Sequence, residues 1–220
     1  MDDTKLERWA PLAGVVFVVL VLVGGFIAGS PPATSDSAAK IGKFFADNDY
    51  ALKCGAFISG LASIPFLVFL GVLYARLRGA EGDHGRLSLV MFGGGVLSAA
   101  LILVAFAVFG AIAISVDEIG GGGTKFFYIL ANGLTGMAGL ALVVVAGATA
   151  LVTFRTQALP AWLGWLSVAS AVLWIPGGLV VASDSDAAFV INIIAFPLFL
   201  VWVLATSIVL FRTQTAATTR

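Results

Sequence analysis

Charge is what this sequence has least of: Asp, Glu, Lys and Arg make up 11% of its 220 residues, against roughly 25% in an ordinary soluble domain. With 60% hydrophobic residues beside that deficit, the composition is that of a polytopic membrane protein. The 12 basic and 12 acidic residues balance, so no basic surface points to nucleic acid. A single cysteine, Cys54, excludes an intrachain disulfide. Together with the lone histidine, His84, it leaves no zinc-ligand cluster. The sequence holds no Gly-x-Ser-x-Gly elbow, His-Glu-x-x-His pair or P-loop, and Gly120 to Gly123 lacks the Gly-Lys-Ser ending of a phosphate cradle. These absences predict a protein that is not an enzyme and carries no cofactor or metal.

What is present is a series of long apolar runs. Spans are expected at about 10–28, 53–75, 87–116, 126–154, 162–182 and 187–211, each of a length to cross a bilayer. The first run competes with a signal peptide, because Ala28-Gly29-Ser30 resembles a small-residue cleavage site. Its length exceeds the roughly 7 to 15 residues of a signal core, which favours a retained helix. Pro31-Pro32 stops it, and Ala38, Ile41 and Phe45 then fall on one side of a short helix over about 37–45, expected to lie in the interface. Pro65 interrupts the second span, Pro176-Gly177-Gly178 the fifth, and Pro197 lies inside the sixth. The chain reads as one all-α domain, residues 1–220, a bundle of six transmembrane helices.

Counting Lys and Arg by side sets the orientation. The head, the loops at 76–86 and 155–161 and the tail hold Lys5, Arg8, Arg76, Arg78, Arg86, Arg155, Arg212 and Arg220. The opposite loops hold Lys40, Lys43, Lys53 and Lys125. Eight against four places both termini in the cytoplasm. High Ala, Val and Gly usage suggests a GC-rich bacterial genome, hence a multi-pass protein of the plasma membrane.

Between their end residues the six spans contain no Asp, Glu, Lys, Arg or His. Proton-coupled carriers and voltage sensors place ionisable groups there, so charge-coupled transport through such a residue is disfavoured. The fourth span carries a stripe, Asn132, Thr135, Gly139, Leu142, Ala146, Thr149 and Thr153, at steps of three and four. Five of these seven are Gly, Ala or Thr, the residues that let membrane helices approach closely. Two echoes accompany it: residues 148–157 read against residues 205–214, and Lys43-Phe44-Phe45 against Lys125-Phe126-Phe127. Aligned this way, Thr135 corresponds to Asn192, and Ser59 and Ser63 fall at a similar depth.

Two functional readings follow. In the first, the protein works by helix packing, as an accessory subunit or a homo-oligomer in the lipid bilayer, with the stripe facing spans two and six. In the second, a transporter or binding protein for a small uncharged or apolar molecule, an outward-opening pocket is lined by Ser59, Ser63, Asn132, Thr135 and Asn192, with Trp174 and Trp202 as its deeper walls. Asp184-Ser185-Asp186 has the look of a metal-binding acidic pair, with Asp117-Glu118 on the same side, but helix termini account for them more simply: Asp186 or Ser185 caps span six, where an acid complements the N-terminal dipole.

Gly55-Ala56-Phe57-Ile58-Ser59-Gly60-Leu61-Ala62-Ser63-Ile64-Pro65-Phe66, with Leu73-Tyr74-Ala75-Arg76-Leu77-Arg78, resembles six-helix bacterial membrane proteins grouped as a domain of unknown function. Pro160-Ala161-Trp162-Leu163-Gly164-Trp165 and the stretch 199–212 are similar too. The resemblance implies six helices and brings no catalytic residues with it.

Overall fold

The computed structural model describes residues 9–82, 85–178 and 186–218, and these are helical with no strand among them. A 3₁₀ turn, Ala10–Leu12, runs into α1 (Ala13–Ala28). Then come α2 (Ala38–Asp47), α3 (Asp49–Leu61), α4 (Ser63–Glu81), α5 (Arg86–Thr156), α6 (Ala161–Gly177) and α7 (Asp186–Thr218). Four stretches are long and apolar enough to cross a membrane: Ala10–Ala28, Asp49–Glu81, Arg86–Thr156 and Ile194–Thr213. Helix is the form such runs must take in hydrocarbon, where backbone polar groups have no water to bond.

The longest element is not one rod. As a straight helix, 71 residues would reach about 107 Å. Non-helical backbone at Ser115 and Gly120 instead folds α5 on itself. Gly120 has φ +66°, which a glycine adopts without strain, and Thr124 Oγ1 donates to its carbonyl at 2.9 Å. The outgoing arm (86–114) and the returning arm (121–156) then lie side by side. A Cβ on Gly94 would sit 3.1 Å from the Ala141 carbonyl. The glycine run is therefore a bend: Gly121 to Gly123 already belong to the returning arm.

A second break separates α3 from α4 at Ala62, three residues before Pro65. The proline ring cannot accommodate the carbonyl four residues earlier, so the helix is interrupted there and Pro65 falls in the first turn of α4. Ser63 Oγ donates to the Gly60 carbonyl at 2.7 Å and satisfies a group that the break exposes. Pro197 has no such effect: α7 is helical through it and continues to Thr218, past the apolar run read as ending at 211. Helix α6 ends at Gly177, and the last part of the predicted fifth span, residues 179–182, lies outside the described residues.

The chain thus traverses the bundle six times, with α3 and α4 making one pass and α5 two. One end carries the first and last helices: Trp9 and Phe211 lie 5.6 Å apart ring to ring, and Arg76 Nε donates to the Ala158 carbonyl at 3.1 Å. The other carries the α5 bend. The main core joins α1, α4, α5, α6 and α7 around Phe69, Leu70, Leu73, Met91, Val145, Leu163, Trp202 and Val203. A smaller core at the bend end joins Ile41 and Phe45 of α2 to Leu52, Ile112, Ala113 and Tyr128.

That second core gives α2 its place. Ser37 caps it by accepting from the Lys40 N–H, and its apolar side is covered by protein, Ile41 and Phe45 being 0% and 1% exposed. Residues 29–37 strap it down. Tyr128 Oη donates to the Pro32 carbonyl at 2.6 Å, and Lys125 Nζ to the Asp36 carbonyl at 2.8 Å. The Lys40 ammonium, 2.8 Å from the Asp36 carboxylate, and the Ala33 N–H together hold that carboxyl below its ordinary value.

Candidate functional site

Of the seven residues that the sequence offers as a pocket, all but Asn192 have described side chains. Trp174 and Trp202 come together, but in the middle of a filled core. Phe199 stacks on Trp202 at 5.7 Å and meets Trp174 edge-on at 6.4 Å. Phe66 and Phe69 close the space from α4, and Phe17 closes it from α1. Offset and edge-to-face pairs of this kind add stability beyond the area they bury, and they leave the rings where a ligand would sit.

Asn132 and Thr135 are half-buried and bonded to their own helix: Asn132 Nδ2 donates to the Tyr128 carbonyl at 2.8 Å and Thr135 Oγ1 to the Ala131 carbonyl at 3.0 Å. Ser59 is buried on α3 against α1, in a close approach where a Cβ on Gly55 would lie 2.8 Å from the Gly24 carbonyl. Ser63 serves the α3–α4 break. The side chain of Asn192 lies outside the described residues, as do His84, Asp184 and the side chain of Asp186. Asp117 and Glu118 are exposed at the α5 bend. Among the described residues, no group of three or more His, Cys, Asp or Glu is placed to hold a metal.

The small-residue stripe does pack against helices, though not against the expected ones. Gly139 lies under the indole of Trp174, whose Cζ3 would be 2.9 Å from a Cβ built there. One end further on, a Cβ on Gly164 would be 3.2 Å from Thr153. Both neighbours belong to α6, the fifth pass. The reason is connectivity: a four-residue connection, Gln157 to Pro160, makes α6 the immediate antiparallel neighbour of the returning arm, so the face that permits closest approach is used there.

Two features escaped the sequence reading. Trp202 Nε1 donates to Ser167 Oγ at 2.6 Å, and Ser167 Oγ donates in turn to the Leu163 carbonyl at 2.8 Å. A serine on a tryptophan-rich helix was the available signal. Glu81 accepts from the backbone N–H of Leu87 at 3.2 Å, from that of Ser88 at 2.7 Å, and from the Ser88 hydroxyl. It thereby caps the first turn of α5, where Gly85 is left-handed. Burial pushes the Glu81 carboxyl up, but these donors and Arg78 outweigh it and hold the group below its ordinary value of 4.5.

Two open concavities are formed on the outside. One, about 680 Å³, lies between the strap and α2 beside Pro32, Asp36, Lys40 and Asp47. The other, about 430 Å³, is a mostly apolar groove between α3 and the outgoing arm of α5, floored by Ala56, Gly60, Ala107 and Gly110. Comparison with known protein families, with curated proteins and with solved structures finds no match, so the likeness to six-helix bacterial membrane proteins assigns no family.

Proposed function

We propose that this chain is a non-enzymatic multi-pass protein of a bacterial plasma membrane, with six crossings and both termini in the cytoplasm, that acts by helix packing as an accessory subunit or a homo-oligomer. The observation that carries this reading is the filled interior. Phe17, Phe66, Phe69, Trp174, Phe199 and Trp202 occupy the centre, which leaves the surface as the part that can do work. That surface is apolar along the passes, and aromatic side chains mark its two ends. Trp9, Trp162 and Trp165 are exposed at the end with the first and last helices, and Phe26, Tyr50 and Phe126 at the bend end. Such girdles belong at membrane interfaces.

The distribution of cations supports the stated orientation. Arg76, Arg78, Arg86, Arg155 and Arg212 gather at the end with the first and last helices, and Lys40, Lys43, Lys53 and Lys125 at the bend end. Cytoplasmic loops carry the excess of Lys and Arg. In a background with Cys54→Ser, a membrane-impermeant maleimide applied to intact cells is expected to label Asp117→Cys and to spare Arg212→Cys. The reverse pattern overturns the orientation. Helix packing with a partner is tested in mild detergent: a protein that runs as a monomer by light scattering and crosslinks to no membrane protein overturns that part.

A further inference from the structure

We propose that the groove between α3 and the outgoing arm of α5 binds one acyl chain of a phospholipid whose headgroup carries both a phosphate and a primary amine. The inference rests on the reading that this chain spans a membrane. The groove is open along its side, and its floor is made of small residues, Ala56 and Gly60 from α3 and Ala107 and Gly110 from α5. A helix of a partner could use such a floor, but its extent argues otherwise. From Lys53 to Ile64 the lining covers eleven residue steps, about 16 Å of helix. On this side it ends at Ile64, two residues past the break at Ala62. That length matches one leaflet, about half of a 30 Å hydrocarbon core, whereas a transmembrane helix would need all of it.

The mouth supplies the second argument. Lys53 lines the groove at its bend end, and its ammonium bonds the Asp49 carboxylate one turn further out at 2.7 Å. The two side chains remain 38% and 48% exposed, so each has donors or acceptors left for a ligand. A lone lysine would favour an anionic headgroup. A lysine beside an aspartate complements a headgroup that carries both signs, with its phosphate on Lys53 and its amine on Asp49. A choline headgroup has no N–H to give Asp49, and a glycerol headgroup offers it neutral hydroxyls but no cation.

The experiment uses the full chain, recovered from the membrane fraction, in mild detergent by native mass spectrometry with phosphatidylethanolamine, phosphatidylglycerol or phosphatidylcholine added at equal concentration. The expected result is retention of phosphatidylethanolamine severalfold above the other two. Asp49→Asn should remove that preference while leaving chain binding. Gly60→Leu with Ala107→Leu, which fills the floor from a half-buried position with room for a Cβ beside it and an exposed one, should lower retention of all three about tenfold at an unchanged melting temperature. Equal retention of the three lipids by the unaltered chain overturns the assignment. So does a filled groove that keeps its lipid, or one that loses a protein partner instead. Recovery of the chain in the soluble fraction would refute the membrane reading, an outcome distinct from these.

Discussion

Gly139 of the returning arm of α5 packs directly beneath the indole of Trp174 on α6, and no side chain larger than hydrogen fits between them. Replacing Gly139 with leucine should therefore cost about 1 to 3 kcal/mol through overpacking. Trp174→Ala should cost about 3 kcal/mol or more, because a buried ring is lost and a cavity is left. Combined, the two substitutions should lose less than the sum, since the leucine enters the vacated space. Unfolding in mixed micelles measures each value, and strict additivity would show that the two residues do not compete for one volume.

Ser167 gives Trp202 its acceptor inside the core. Ser167→Ala should destabilise the bundle by about 1 kcal/mol, between the average for hydrogen bonds across membrane helices and the cost of a buried unsatisfied donor. Trp202→Phe removes the donor as well, so in that background Ser167→Ala should cost less. A double-mutant cycle with no coupling would remove the bond from the account.

Glu81 makes the start of α5 sensitive to acid. A carboxylate held below its ordinary value contributes stability that is complete above the unfolded pKa and lost as the pH falls through the lower folded one. Amide exchange at Leu87 and Ser88 should accordingly quicken on acidification below about pH 4.5 relative to the rest of α5. Glu81→Gln should show the faster exchange already at neutral pH and lose the dependence.

Two left-handed positions should respond in opposite ways. Gln157 ends α5 at φ +55° and is the one non-glycine residue with positive φ among those described. Gln157→Gly is expected to gain about 0.5 to 1 kcal/mol. Gly120→Ala, at the bend, should lose about 1 to 3 kcal/mol, because φ +66° with ψ 170° is backbone that glycine alone adopts readily.

The strap over the bend can be loosened by one atom. Tyr128→Phe deletes the donor to the Pro32 carbonyl and leaves the ring between Phe45 and Phe109. Exchange should accelerate in residues 30–47 and not in the main core. Equal acceleration in both would mean that α2 does not open separately.

How far these features could be read from the sequence depended on their range. The helical runs were legible because hydrocarbon leaves a long uncharged stretch one regular form, and Gly120 to Gly123 marked the bend. The partner of each face was not legible. Helical spacing gathers Asn132, Thr135 and Gly139 on one side, but it cannot say that Trp174, 35 positions beyond Gly139, will lie against it rather than span two or six. The surroundings of the expected pocket residues were not legible for the same reason. Ser59, Asn132 and Trp202 share a polar or aromatic character and a similar depth, while depth alone does not fix the direction in which a side chain points. Phe199, unremarkable in an apolar run, packs against Trp174 and Trp202, with Phe17 and Phe66 on its other sides.

The bend in α5 bears on how the protein is made. Four residues lie between Ser115 and Gly120, too few for a separate loop between the proposed third and fourth passes, so the two arms are expected to partition into lipid as a paired unit. On the proposed topology Asp117 and Glu118, exposed at its tip, would cross the hydrocarbon together, once, during biosynthesis. A ribosome halted just after Val116 would hold an arm whose Gly94 lacks its neighbours Ala141 and Val144. Release of the returning arm, rather than of each pass in turn, is then the step that commits the chain to its topology.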